Sequence, residues 1–89
     1  MSVDWMKFNY RDTVLDELAR HGVVPRDDTS PDLIREFVNE LYLIEIRILR
    51  TNLKSGLIQK ADYYGEVDAL RKRYPILSLP VRFWTEPLS

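Results

Sequence analysis

Apolar positions recur with a helical period along most of this chain, and the period breaks where turn-forming residues cluster. Leu15, Leu18 and Ala19, with Val14 beside them, follow the i, i+3, i+4 spacing of one helix face. This predicts a first helix over about residues 10–21. Asn9 or Asp12 is placed to cap its start, because a short side-chain oxygen accepts from an otherwise unpaired first-turn N–H. His21-Gly22 reads as its stop, since glycine tolerates the left-handed backbone that closes a helix. Before Asn9 the reading stays open: Trp5, Met6 and Phe8 either continue the helix back to Asp4 or form an extended arm.

Residues 22–30 carry turn chemistry and no apolar period, with Pro25, Arg26-Asp27-Asp28 and Thr29 in succession. Ser30-Pro31-Asp32 then opens a second helix with three agreeing signals. Ser30 suits the N-cap, Pro31 the first helical position, and Asp32 complements the positive helix end. The helix is expected over residues 31–54, closed by Ser55-Gly56, and would be roughly 36 Å long at 1.5 Å per residue. Of the 21 residues from 33 to 53, 12 are apolar, more than a one-sided stripe requires. Between Leu41 and Leu49 nearly every direction around the helix carries an apolar group. The rival for Leu43–Ile48 is a strand, because Ile44-Glu45-Ile46-Arg47-Ile48 alternates and isoleucine is β-branched.

A third helix is expected over about residues 60–74, with Tyr63, Val67, Leu70 and Tyr74 as its stripe and Pro75 as its stop. Gly65 weakens that helix by about 1 kcal/mol relative to alanine, which suggests a close neighbour at this position. Residues 76–84 read as an extended, apolar arm. Leu77, Leu79, Val81 and Phe83 alternate there, while Pro80 bars a central strand. The expected fold is therefore all-α: a single three-helix domain with a long central helix and an extended C-terminal arm lying in a groove between helices.

The segment Gly56-Leu57-Ile58-Gln59-Lys60-Ala61-Asp62-Tyr63 resembles the turn of SHOCT-like short helical hairpins. Gly56, Ile58, Asp62, Tyr63 and Leu70 fit that pattern over residues 46–72, while Gln59 stands where Thr or Ser usually caps. The resemblance implies an oligomerisation or interaction role.

Composition narrows the classes of function. The 89 residues are 45% apolar and 30% charged, with a net charge of −1, which describes an ordinary globular chain. There is no cysteine, so disulfides, thiol catalysis and thiolate metal sites are excluded together. No secretory signal pattern and no membrane-spanning run is found, and a cytoplasmic location is the default expectation. Charge is graded along the chain: residues 1–30 hold 4 basic and 6 acidic groups, and residues 51–89 hold 6 and 4. The gradient could orient two copies head to tail.

Candidate chemistry is sparse. His21 is the only imidazole and could join Asp27 and Asp28 on a metal, although its place at a helix end explains it as well. Glu36 and Glu40 share a helix face, but the Glu-x-x-His motif of metal-binding bundles is missing. Tyr63, Tyr64 and Trp84 could line a small pocket, and aromatics at helical spacing more often build a core. Ser55 and Ser78 have no nearby base, and no phosphate loop occurs. No catalytic residue, cofactor or metal is therefore expected.

The physical anomaly is the long helix. A domain this small buries only about 60–65% of its unfolded surface, so part of residues 41–49 is expected to await a partner. The expectation is a homo-oligomer, a two-fold dimer through the second helix, with a structural or adaptor role. Its interaction residues would be Leu41, Ile44, Ile46, Ile48 and Leu49, with Leu79, Phe83 and Trp84 of the arm open to another protein partner. The alternative is a small nucleic-acid-binding regulator using Arg47, Arg50, Lys54, Arg71, Lys72 and Arg73, against which the pI near 5.8 weighs. A further alternative is an accessory subunit of a larger enzyme, docking through residues 76–84.

Overall fold

The architecture, taken from a computed structural model that describes residues 7–87, is three helices with one small strand pair. Strand β1 (Asn9–Tyr10) precedes α1 (Asp12–Ala19), then come α2 (Pro31–Ser55), α3 (Lys60–Lys72) and strand β2 (Thr85–Glu86). Between α3 and β2 the C-terminal arm contains two single 3-10 turns, Pro75–Ser78 and Val81–Phe83. The chain is all-α apart from β1 and β2, which pair antiparallel with Asn9 opposite Glu86 and Tyr10 opposite Thr85. Trp5 and Met6, left open as helix or arm, lie outside the described residues.

The helix boundaries follow local chemistry closely at α2. Pro31 occupies the first turn, Asp32 supplies the acidic group there, and Gly56 closes the helix at φ 84° with its N–H on the Leu53 carbonyl. Ser30 stands at the N-cap in extended conformation but makes no side-chain capping bond. The whole of Leu43–Ile48 is helical, so the strand alternative is excluded. In α1 the start is corrected. Asn9 and Tyr10 belong to β1, Arg11 is the cap residue and Asp12 is the first helical residue, because pairing with β2 holds the preceding backbone extended. It ends at Ala19, two residues short of the expected end, with Arg20 as the cap residue, while Gly22 takes the left-handed φ of 74° expected of the stop and the Val23 N–H reaches back to the Leu18 carbonyl at 3.0 Å. Helix α3 stops at Lys72, two residues short, and Tyr74 leaves helical geometry ahead of Pro75. A Cβ at Gly65 would meet nothing within 4 Å, so no close neighbour explains that glycine.

One core organises the molecule. Tyr10, Val14, Leu18, Val23, Val38, Leu70, Tyr74, Ile76 and Trp84 are its buried members, drawn from both ends of the chain and all three helices. Trp84 is the largest fully enclosed side chain, and its indole N–H donates to the Leu79 carbonyl at 2.9 Å. The Trp84 carbonyl accepts from the Arg11 N–H at 2.9 Å, which clamps the arm onto the start of α1. Tyr10 adds a hydroxyl bond to the Thr29 carbonyl at 2.5 Å, and Arg35 of α2 donates to the Leu77 carbonyl at 3.2 Å.

All of this sits at one end. From residue 43 to residue 69 no side chain is buried, although the segment carries 11 large apolar residues. Helix α2, about 37 Å long for its 25 residues, therefore runs on past the fully buried residues beside α3 as a two-helix limb, with Ile46 and Leu49 only partly buried against the core. The extents are 57 × 22 × 17 Å and the radius of gyration is 16.5 Å, against about 12 Å for a compact domain of this length.

Candidate functional site

Two regions could act on something outside the chain: an apolar stripe along α2, and a polar cleft where α1, α2 and α3 converge.

The stripe consists of Leu33, Phe37, Ile44 and Ile48, which are 61%, 53%, 46% and 54% exposed. At 100° per residue they fall within about 60° of one another around the helix, so they form one narrow row. The core-facing side of α2 lies next to it, where Ile34, Leu41, Tyr42, Ile46 and Leu49 pack partly buried against the core. Shallow apolar concavities of about 430 Å³ beside Leu33 and Phe37 and about 270 Å³ beside Ile44 and Ile48 follow the row. The other edge is charged. Asp32, Glu36 and Glu40 occupy its first half and Arg47, Arg50 and Lys54 its second, all exposed. None of these six makes an ion pair among the described residues.

The residues expected to meet a partner are thus divided. Ile44 and Ile48 are on the exposed row, whereas Leu41, Ile46 and Leu49 serve the chain's own core. In the arm, Leu79 also packs against the core, and Phe83 is 43% exposed beneath the Arg82 guanidinium, 4.7 Å from its ring centre. Trp84 is corrected from a partner contact to a core residue, because the arm folds back and encloses it completely. Leu33 and Phe37 were missed. They share the i, i+4, i+11, i+15 spacing with Ile44 and Ile48, a row that begins before the dense apolar run of residues 41–49.

The basic residues do not converge. Arg73 pairs with Glu45 on the side of α2 that faces α3, at 3.7 Å, and Lys72 pairs with Asp68 at 3.0 Å. Arg71 borders a hollow with Arg35, Asn39 and Tyr42. Arg47, Arg50 and Lys54 project about 140–180° away from Glu45 around α2.

The polar cleft, about 370 Å³, is lined by Arg20, His21, Glu45, Lys72, Arg73 and Tyr74. The His21 ring stacks on Tyr74 with centroids 4.2 Å apart, and Tyr42 meets Tyr74 edge-on at 5.3 Å. The Tyr74 hydroxyl donates to the Glu45 carboxylate. Burial pushes the Tyr74 phenol up to about 12, with the Glu45 hydrogen bond and charge adding to the rise and Arg73 opposing it. Tyr10 is likewise raised to about 12 by burial. His21 is not grouped with the aspartates after it: Asp28 pairs with Arg26 at 3.8 Å, and the Asp27 carbonyl accepts from the Phe8 N–H. The three cations of the cleft are matched by Glu17, Asp68 and Glu45, and they offset the negative ends of α1 and α3 that meet here. Local charge balance accounts for these three cations, while the His21 Nε2 and one Glu17 carboxylate oxygen stay buried without a hydrogen-bond partner among the described residues. Among the described residues no three His, Asp or Glu groups converge as metal ligands, and no helix is long and apolar enough to cross a membrane.

Comparison with protein-family models, with curated proteins and with solved structures finds no match to this chain.

Proposed function

We propose that this chain is a non-catalytic interaction module that assembles with a second copy of itself through α2, as a two-fold dimer with a structural or adaptor role. The observation that carries the reading is the exposed row Leu33, Phe37, Ile44 and Ile48 on a helix whose second half has no buried side chain. Large apolar groups scattered singly over a surface are ordinary, but four aligned along one helix face support a contact face. Burying four such side chains is worth about 1.5–3 kcal/mol each at full enclosure, enough to offset much of the entropy lost on association. A second copy is the economical occupant, since it brings an identical row and the opposite charges for the neighbouring edge.

Sedimentation and small-angle scattering at micromolar concentration test this. The chain is expected to run as a dimer, and Ile44→Asp or Ile48→Asp to give a folded monomer. Ile46→Asp, by contrast, places a charge against the core and is expected to weaken folding itself. A wild-type chain that remains monomeric over this range overturns the reading.

A further inference from the structure

We infer that the two copies pair antiparallel, with Leu33 facing Ile48 and Phe37 facing Ile44 across a two-fold axis near residues 40 and 41. The inference rests on the self-association just proposed and adds to it a direction and a register.

The row itself has a centre. Leu33 with Ile48, and Phe37 with Ile44, share one midpoint between Glu40 and Leu41. An antiparallel pair about that midpoint sets each exposed side chain against its counterpart. It also lays residues 43–50 of one copy, which have no buried side chain, alongside residues 31–38 of the other. The limb that lacks a core in the single chain thereby gains a neighbour over its proximal half.

The charged edge chooses the direction. In an antiparallel pair whose axis is perpendicular to both helices, the same edge of each copy adjoins, running in opposite senses. Asp32 and Glu36 of the acidic half then meet Arg50 and Arg47 of the basic half, while Lys54 falls beyond the start of the partner's α2 at Pro31. Glu36 falls about 3 Å along the axis from the partner's Arg47, and Asp32 about 1.5 Å from the partner's Arg50, within the reach of these side chains. In a parallel pair the charged edge would instead adjoin the partner's opposite edge, where Ile34 and Leu41 lie, and all six charges would stay unpaired. One contact is unfavourable in the antiparallel arrangement. The two Glu40 carboxylates flank the axis, about 1.5 Å apart along it, so Glu40→Gln should tighten the dimer.

Because the chain has no cysteine, single thiols report the arrangement directly. A disulfide requires Cα atoms within about 7 Å. Glu40→Cys is expected to cross-link to itself under mild oxidation. Leu33→Cys alone and Ile48→Cys alone are not, since like positions lie about 22 Å apart, but a mixture of the two is expected to give the mixed dimer. Glu36→Lys and Arg47→Glu should each weaken dimerisation about tenfold, and mixing them should restore it. Self-cross-linking of Leu33→Cys as efficient as that of Glu40→Cys overturns the antiparallel register while leaving a dimer in sedimentation. A monomer in sedimentation, with no cross-link at any position, overturns both the register and the self-association beneath it.

Discussion

At one end of α2, nine buried side chains from α1, α2, α3, the β1 segment and the arm enclose one another around Trp84. Along the other end, residues 43–69 hold a comparable supply of large apolar groups and bury none of them completely. Both regions are helical, and neither α2 nor α3 has a side-chain capping bond at its start. What separates them is the number of layers. The cored end has α1 and the folded-back arm to cover α2 and α3, whereas the limb has two helices and nothing over them. Two helices can each hide one stripe against the other, but an apolar surface more than half-way round a helix needs a third element.

The largest expected contrast comes from deleting one side chain in each region. Trp84→Ala should cost about 3–5 kcal/mol of folding stability, read as a lower urea midpoint with loss of the cooperative transition at body temperature. Ile48→Asp, on the exposed row, should cost the isolated chain less than about 1 kcal/mol. Equal losses from both would show that the limb carries the fold as much as the core does.

Alkaline pH gives an intermediate contrast, confined to the cored end. Tyr10 and Tyr74 are raised from the ordinary value of 10 to about 12 in the folded chain. A raised folded value means that the unfolded chain loses these protons first. Their stabilisation is therefore whole below pH 10 and is lost as pH climbs from 10 towards 12. Thermal unfolding followed across that window should show a falling midpoint, and Tyr74→Phe should flatten the fall. A midpoint independent of pH there would mean that neither phenol is enclosed as described.

The smallest contrast lies within the limb. Gly56 closes α2 at φ 84°, so Gly56→Ala should destabilise by about 1 kcal/mol from backbone strain alone, with open space around the new methyl group. Gly65 sits inside α3 with similar open space and no positive φ, and Gly65→Ala should stabilise by about 1 kcal/mol. Opposite signs in thermal melts would confirm that the limb is limited by helix propensity rather than by packing.

The same division governs how much was legible in the sequence. Helix α2 could be read from Ser30-Pro31-Asp32 at one end and Gly56 at the other, because capping is decided by neighbours in the chain. The excess of apolar positions along it was equally plain, and so was the idea that some would stay uncovered. The strand pair was not legible. Two residues cannot display an alternation, and the partners Tyr10 and Thr85 are 75 positions apart. Nor was the role of Trp84, which in sequence is only one more aromatic in an apolar arm; its burial depends on the arm turning back at Pro75 and Pro80 through two 3-10 turns. The exposed row is legible only once the core is known, because Leu33, Phe37, Ile44 and Ile48 are the α2 positions that the core leaves as a line.

The position of Trp84 also sets an order in time. The core cannot close until residue 84 reaches residues 10–18, which means drawing together nearly the whole described chain, whereas α2 and α3 meet across a turn of four residues, Gly56–Gln59. Local helix pairing proceeds in microseconds, and closure over long separations is slower. The limb thus forms early while the stable half forms late, and a ribosome must release the arm before the molecule can lock. During that interval the apolar row of α2 is accompanied by the core-facing side as well, a wider greasy surface than the folded chain ever presents. Folding of the arm thus narrows that transient surface to the single exposed row Leu33, Phe37, Ile44 and Ile48.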